Sequence, residues 1–307
     1  MAVLSVYITG LFLSIIPIII YAASPILVGF SANLNRPNNF VHLNPVTGIF
    51  TELAGANRWD VLDATYFAKA DKFIAIANDY TVYNGSTGFI ISSAPIRFPF
   101  GSNNAGFNVQ IDQNTGAMYM YNLAGNKPGL YKVDFETGIT TLLTLLTSIQ
   151  SLSVGVSVYD SDAHLYVCFG NDAAGMQNMY VFNTTSPGAV NIIPISWTPD
   201  DFSFVLWQPS VKHTMIGYNS SNAQLVNIDI FTGVSTPVSG KRSNMEGISS
   251  QQAAALDLST DSIYVVFVNF TASPSRYMVG TMNIISGVFD RFVPTEKNTD
   301  MAFMFML

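Results

Sequence analysis

Short runs of alternating apolar and polar residues fill the chain from about residue 25 onward, and polar knots ending in glycine separate them. "KVDFETGITTLL" (132–143) is one such passage. An alternating run enters Asp134-Phe135-Glu136-Thr137-Gly138, and a second run leaves it. Period-two alternation marks a β-strand, and a glycine at the exit of the knot supplies the positive φ of a tight hairpin. The phrase recurs in "VHLNPVTGIFTEL" (41–53), "TVYNGSTGFIIS" (81–92), "VFNTTSPGAVNII" (181–193), "NIDIFTGVSTPV" (227–238) and "TMNIISGVFDRFV" (281–293). The turn glycines fall at 48, 88, 138, 188, 233 and 287, about 48 residues apart on average. A second marker follows that interval: Asp63, Asp112, Asp160 and Asp257, with Gln208-Pro209 in the vacant place. No helical periodicity persists after residue 24.

A repeat of 40–50 residues holding several short strands predicts a β-propeller. The third unit shows four strands: "GFNVQI" (106–111), "AMYMYNL" (117–123), "GLYKVD" (129–134) and "ITTLLTLL" (139–146). At the ends of the chain the count is incomplete. "PILVGFSA" (25–32), "NFVHLN" (39–44) and "GIFTEL" (48–53) are three strands with no innermost one before them, and "DMAFMFML" (300–307) is one strand left over. Three and one make a blade, and pairing them leaves no open sheet edge. The expected fold is all-β: six blades of four antiparallel strands, the ring closed by the C-terminal strand joining the N-terminal blade. Small residues in the predicted innermost strands (Ala105-Gly106, Gly155, Ala253 to Ala255, Ala302) suit the crowded axis. In architecture and turn phrase, residues 25–307 resemble the six-bladed propellers of the NHL, YWTD and gluconolactonase-like kind. There are no Tyr-Trp-Thr-Asp repeats and no Glu-Gly-Pro opening of a metal site. The resemblance therefore implies a fold and transfers no residues.

The first stretch, "MAVLSVYITGLFLSIIPIIIYAAS", has no charged side chain. It reads as a signal peptide over 1–23, with small residues at its exit, ahead of a propeller over 24–307. The competing reading is an uncleaved transmembrane anchor, for which the apolar run is long enough. The expected location is secreted and extracellular, with no membrane association once the signal is removed. Thirteen Lys and Arg against 20 Asp and Glu give a formal charge of −7. An acidic chain without a basic cluster lacks what nucleic-acid phosphates require. The single cysteine, Cys168, has no disulfide partner in the chain and reads as a small core residue.

Candidate chemistry is sparse. His42, His164 and His213 lie in separate units without metal-ligand spacing. There is no nucleophile elbow, phosphate loop or dinucleotide fingerprint. "DSDAH" (160–164) has the look of a calcium loop but sits at the recurrent turn and lacks the other ligands. Long amide-rich loops collect on the face that enters each innermost strand and joins second strands to third, where function concentrates on a rigid scaffold. Asp60, Asn104, Asp201, Glu246 and Asp300 stand near five of the six channel mouths on that face. Their oxygens suit a sugar hydroxyl or a Ca²⁺ ion, and they are also what an ordinary polar turn contains. Trp59, Phe98 and Phe100 on the same loops could form an apolar docking patch. Four glycosylation sequons, at Asn84, Asn183, Asn219 and Asn269, fall in predicted turns. The sequence predicts a secreted, non-enzymatic propeller that binds an extracellular protein or carbohydrate through its loop-rich face. The alternatives are a divalent-cation-dependent lactonase or esterase at the central channel and a structural coat or matrix protein.

Overall fold

In the computed structural model, the described residues are 25–307 except 33–37, 59–60, 62, 77–78, 97–107, 124–126, 241–253, 270–275 and 297–299. The strands follow in chain order. First come β1 (Leu27–Ala32), β2 (Asn38–Leu43) and β3 (Phe50–Arg58). The second blade is β4 (Asp63–Phe67), β5 (Lys72–Ile76), β6 (Asp79–Asn84) and β7 (Ile90–Pro95). The third is β8 (Val109–Ile111), β9 (Met118–Asn122), β10 (Gly129–Val133) and β11 (Thr140–Leu145). The fourth is β12 (Ile149–Asp160), β13 (Leu165–Asp172), β14 (Gln177–Asn183) and β15 (Val190–Pro194). The fifth is β16 (Phe202–Trp207), β17 (Thr214–Asn219), β18 (Gln224–Asp229) and β19 (Ser235–Pro237). The sixth is β20 (Ala254–Asp257), β21 (Ser262–Asn269), β22 (Arg276–Asn283) and β23 (Phe289–Pro294), and β24 (Asp300–Met306) ends the chain.

These strands make six four-stranded antiparallel sheets, and the first has the order β24-β1-β2-β3. Leu27 pairs with Met306 and Ala32 with Asp300, so the last strand is the innermost strand of the first blade. The chain ends close the ring as the orphan-strand count predicts. Only single-turn 3-10 pieces, at Ala68–Ala70 and Pro199–Asp201, interrupt the strands among the described residues.

Alternation now has a direction. Successive side chains of a strand point to opposite faces of its sheet, and here each face meets a neighbouring blade. On β13, Tyr166 and Cys168 pack toward the third blade with Tyr121 and Leu130. Val167 and Phe169 pack toward the fifth with Phe202 and Met215. On β21, Ile263, Val265 and Phe267 face the fifth blade, while Tyr264 and Val266 face the first. The core is thus six apolar layers, one per blade interface. Central strands are apolar on both faces for this reason, and outermost strands such as β7 and β15 are largely exposed. Cys168 is a fully buried free thiol in such a layer, and burial pushes its ionisation well up.

The recurrent phrase is one turn used six times. A leading Asn or Asp closes back on the backbone: Asn44 Oδ1 accepts from Val46 and Thr47 N–H, and Asp134 Oδ1 from Glu136 and Thr137 N–H. Asn84, Asn183, Asp229 and Asn283 do the same in their blades. The Ser or Thr before the glycine accepts from the residue after it, as at Thr47, Thr87, Thr137, Thr232 and Ser286. All six predicted turn glycines have positive φ, between +67° and +89°. Glycine is demanded most strictly at Gly48 and Gly138, where a Cβ would lie 2.2 Å from the Pro294 and Pro95 carbonyl oxygens of the preceding blades. The fourth blade carries one extra residue in this turn, Asn183 to Gly188, which shifts its glycine in the repeat.

Candidate binding site at the propeller axis

The six innermost strands enclose an axial cavity of about 500 Å³. Its wall runs from Asp63 at the start of β4 to Asn114, Asp162 and Leu258 in the turns that follow the innermost strands. Those inner turns are tied to one another around the axis. Gln113 donates from Nε2 to the Tyr66 carbonyl and accepts at Oε1 from the Ala68 N–H. Its own N–H reaches Ser161 Oγ at 2.8 Å. Asn114 donates to the Ser161 carbonyl and to Asp162, and accepts from Lys69. These bonds join the second, third and fourth blades. Gln110 adds another link, donating to both the carbonyl and the hydroxyl of Ser157.

The Asp marker needs one correction. Asp112, Asp160 and Asp257 each stand at the turn after an innermost strand, and Gln208 holds the same place in the fifth blade. Asp63 does not. It opens β4, and the place equivalent to Asp160 opposite Leu165 is Phe67 opposite Lys72. The 49-residue interval from Asp63 to Asp112 is a coincidence of numbering. Asp63 is 5% exposed and accepts from the N–H groups of Ala64, Asn108 and Val109 at 2.6–2.8 Å. Burial pushes its carboxyl up to about 6, against the lowering by those three N–H donors. Asn108, at φ +83°, donates its side-chain amide to the Ser153 carbonyl, and its own carbonyl accepts from the Tyr166 hydroxyl. Asp63 therefore fastens the second blade to the third, and Asn108 carries the link to the fourth.

Two histidines share a role that their separate positions hide. His164 and His213 each occupy the left-handed position of an inner turn, at φ +56°. The Nδ1 of His164 lies 3.7 Å from Asp112 Oδ2, and that of His213 lies 3.5 Å from Asp160 Oδ2. Each thus faces the turn aspartate of the blade before it. Their 49-residue spacing matches the repeat and was the available signal. His42 instead bonds the Gly85 carbonyl through Nε2. In "DSDAH", Asp160 Oδ1 accepts from the Asp162 and Ala163 N–H groups, as the turn reading requires. No group of three or more His, Cys, Asp or Glu is gathered for a metal among the described residues.

Of the five mouth residues, Asp60, Asn104 and Glu246 lie outside the described residues, as do Trp59, Phe98 and Phe100. Asp300 opens β24, with its side chain outside the described set. Asp201 ends a 3-10 turn; its carbonyl accepts from the N–H and hydroxyl of Ser220, and Oδ1 from the Ser221 hydroxyl. It braces a loop of its own blade. Asn84, Asn183, Asn219 and Asn269 are each the last residue of a strand, and the residues that follow Asn269 lie outside the described set. The axial side chains Gln110, Gln113, Asn114, Ser157 and Ser161 are absent from the sequence-based site. Their signal is adjacency to the recurrent Asp, on its innermost-strand side or within its turn.

No protein-family model matches the chain, and no curated protein matches its sequence. Solved structures do match its fold. TolB from Acinetobacter baumannii superposes with a TM-score of 0.62 at 13% identity, over 92% of this chain and 66% of that one. A chain of the nidogen/laminin complex gives 0.60 at 8% identity, covering 92% and 97%. TolB from Agrobacterium tumefaciens, described as putative, gives 0.56 at 9%, covering 88% and 87%. At these identities the likeness is one of architecture, and it assigns the chain to the β-propellers without selecting a family.

Proposed function

We propose that the chain is a secreted, non-enzymatic scaffold that binds an extracellular protein. The observation that carries this reading is a set of exposed apolar side chains on the outer turns of five blades. Ile49, Phe89, Ile139 and Val234 each follow a turn glycine, and Ile285 sits within its turn. Phe89 is 65% exposed and Ile285 68%. Outer and inner turns share one face, because the outer turn bonds to the inner turn of its own blade. Gly85 N–H donates to the Asp71 carbonyl, Ile230 to His213 and Ile284 to Asp261. Single exposed apolar residues are ordinary, but a set repeated around one face is the composition of a docking surface. The fourth blade places Thr185 and Ser186 there instead, which leaves a polar gap in the rim.

The sequence reading gave binding, of protein or carbohydrate, to the opposite, loop-rich face, most of whose loops lie outside the described residues. A photo-crosslinking residue placed at Phe89 or Ile285, and separately at Asp201, separates the two faces. The proposal expects one extracellular protein to crosslink from Phe89 and Ile285, and that capture to disappear in the Phe89→Asp, Ile285→Asp pair. Crosslinking from Asp201 alone would return binding to the loop-rich face. A glycan captured in place of a protein would overturn the choice of partner.

A further inference from the structure

The axial cavity carries an inference independent of the docking rim. Its volume, about 500 Å³, is that of a site enclosing a small organic molecule. Its wall is divided. The second to fourth blades contribute its hydrogen-bonding side chains, Thr65, Gln110, Gln113, Asn114, Ser157 and Ser161, set among apolar ones such as Ile111 and Val158. The fifth, sixth and first contribute apolar ones: Leu206, Trp207, Leu256, Met304, Phe305 and Met306. Among the described lining residues there is no Lys or Arg; the charged ones are Asp63 and Asp162.

We propose that this cavity binds an uncharged amphiphile whose hydroxyl-bearing edge lies against blades two to four and whose apolar edge lies against blades five, six and one. Each half of the wall excludes a simpler occupant. A bare polyol would leave Leu206, Trp207 and Phe305 against polar surface, forfeiting the gain from apolar burial. A bare hydrocarbon would strip water from the Ser161 hydroxyl without replacing the lost bond. An anion would find no cation on the wall and two carboxylates beside it. The polar half still has hydrogen-bonding capacity: Ser161 Oγ accepts from Gln113 N–H and keeps its hydroxyl proton to donate. The inter-blade bonds of Gln110, Gln113 and Asn114 hold that half in place before a ligand arrives, which lowers the entropic cost of binding.

Isothermal titration of the full-length protein tests this, with n-octyl β-D-glucoside below its micelle concentration as probe. Glucose, 1-octanol and octyl sulfate serve as comparison arms. The expected result is saturable one-site binding of octyl glucoside, at least tenfold tighter than any of the other three. Leu256→Asn on the apolar wall and Asn114→Leu on the polar wall should each weaken it at least tenfold. The wild-type protein supplies a second readout: tryptophan emission should respond to the probe, and the response should vanish in Trp207→Phe. Absence of saturable binding, equal binding of octyl sulfate, or indifference to both wall substitutions would overturn the proposal. So would an emission response that survives Trp207→Phe. None of these outcomes bears on crosslinking from Phe89 or Ile285.

Discussion

Deleting residues 301–307 removes the strand that closes the ring, and its cost follows from what that strand touches. Met304 is 2% exposed, in a layer with Leu27, Val41, Tyr264 and Val266. Phe305 packs into the layer between the first two blades, its ring 5.5 Å from that of Phe73 in an edge-on contact. Met306 lies against the same layer as Met304. Burying a side chain of this size stabilises by about 1.5–3 kcal/mol. Two of the three are only partly buried, so the loss is about 4–6 kcal/mol from transfer alone. The paired backbone of β1 is exposed in addition, from Leu27 to Ala32. That total is comparable to the roughly 5–15 kcal/mol that holds a typical domain together. The truncated chain should aggregate or fail to fold, as read by size-exclusion chromatography and thermal unfolding. Graded variants make the test sharper. Met304→Ala should cost about 2–4 kcal/mol, whereas removing Leu307 alone, which is 39% exposed, should change little. A truncated protein that stays monomeric with an unchanged melting temperature would refute ring closure by the chain ends. Equal effects of Met304→Ala and of the Leu307 deletion would refute the assignment of that strand to the axis.

Other outcomes can be checked alongside it. Asp63 titrates near 6 in the fold and near 3.8 when unfolded; between those values the folded chain holds a proton that the unfolded chain has lost. Its contribution therefore falls by about 3 kcal/mol as pH rises from 4 to 6 and is level above that, and Asp63→Asn should flatten this part of a stability–pH profile. Asp134, held low by the Glu136 N–H, acts in the opposite sense: its contribution is present above about pH 4 and is lost on further acidification. Gly48→Ala should cost about 3 kcal/mol or more in chemical denaturation, since strain at φ +72° adds to the contact with Pro294; Gly188→Ala, at φ +89° with nothing within 4 Å of its Cβ, should cost about 1–2 kcal/mol. Expressed through a eukaryotic secretory pathway, the protein should reach the medium with its N-terminus near Ser24, and recovery in membranes at full length would support the anchor. In that product Asn183 should carry more glycan than Asn84, whose amide nitrogen already donates to Asp71; glycopeptide mapping reads the ratio.

The fold was legible because its signals are local. Each outer turn is specified by an Asn or Asp, a hydroxyl and a glycine within five or six residues, and in all six the leading Asn or Asp oxygen accepts from the backbone of its own turn. Strand edges in the third unit agree with the sequence to within one residue at β9, β10 and β11. The Asp marker was legible for Asp112, Asp160, Gln208 and Asp257, where a side chain also closes its own turn or stands in for one that does. It failed at Asp63, whose hydrogen bonds run partly to another blade, at Asn108 and Val109. An interval counts residues and does not distinguish the start of a strand from its end. The burial layer and the partner blade make that distinction.

The cavity is harder to read for the same reason. Its lining comes from six strands, each contributing a few ordinary residues nearly fifty positions from the next. No one of these stretches holds more than about a fifth of it. Once the innermost strands are aligned by their turns, the division of the wall can be read directly. The segments before the turns of the third and fourth blades read "VQI" and "VSVY", and those of the fifth and first read "FVLW" and "AFMFM". Ridding one half of the axis of polar side chains is not required by propeller packing, because Gln110 and Ser157 fill equivalent places in the other half without loss of closure. Crowding at the axis favours small residues, as at Ala254 and Ala255; Trp207 and Phe305 are large, each packed partly into an inter-blade layer and partly exposed. The exposed part of such apolar side chains forgoes burial that a tighter wall would provide. A ligand that covers them recovers it, and this asymmetry argues for an occupied axis over a structural void.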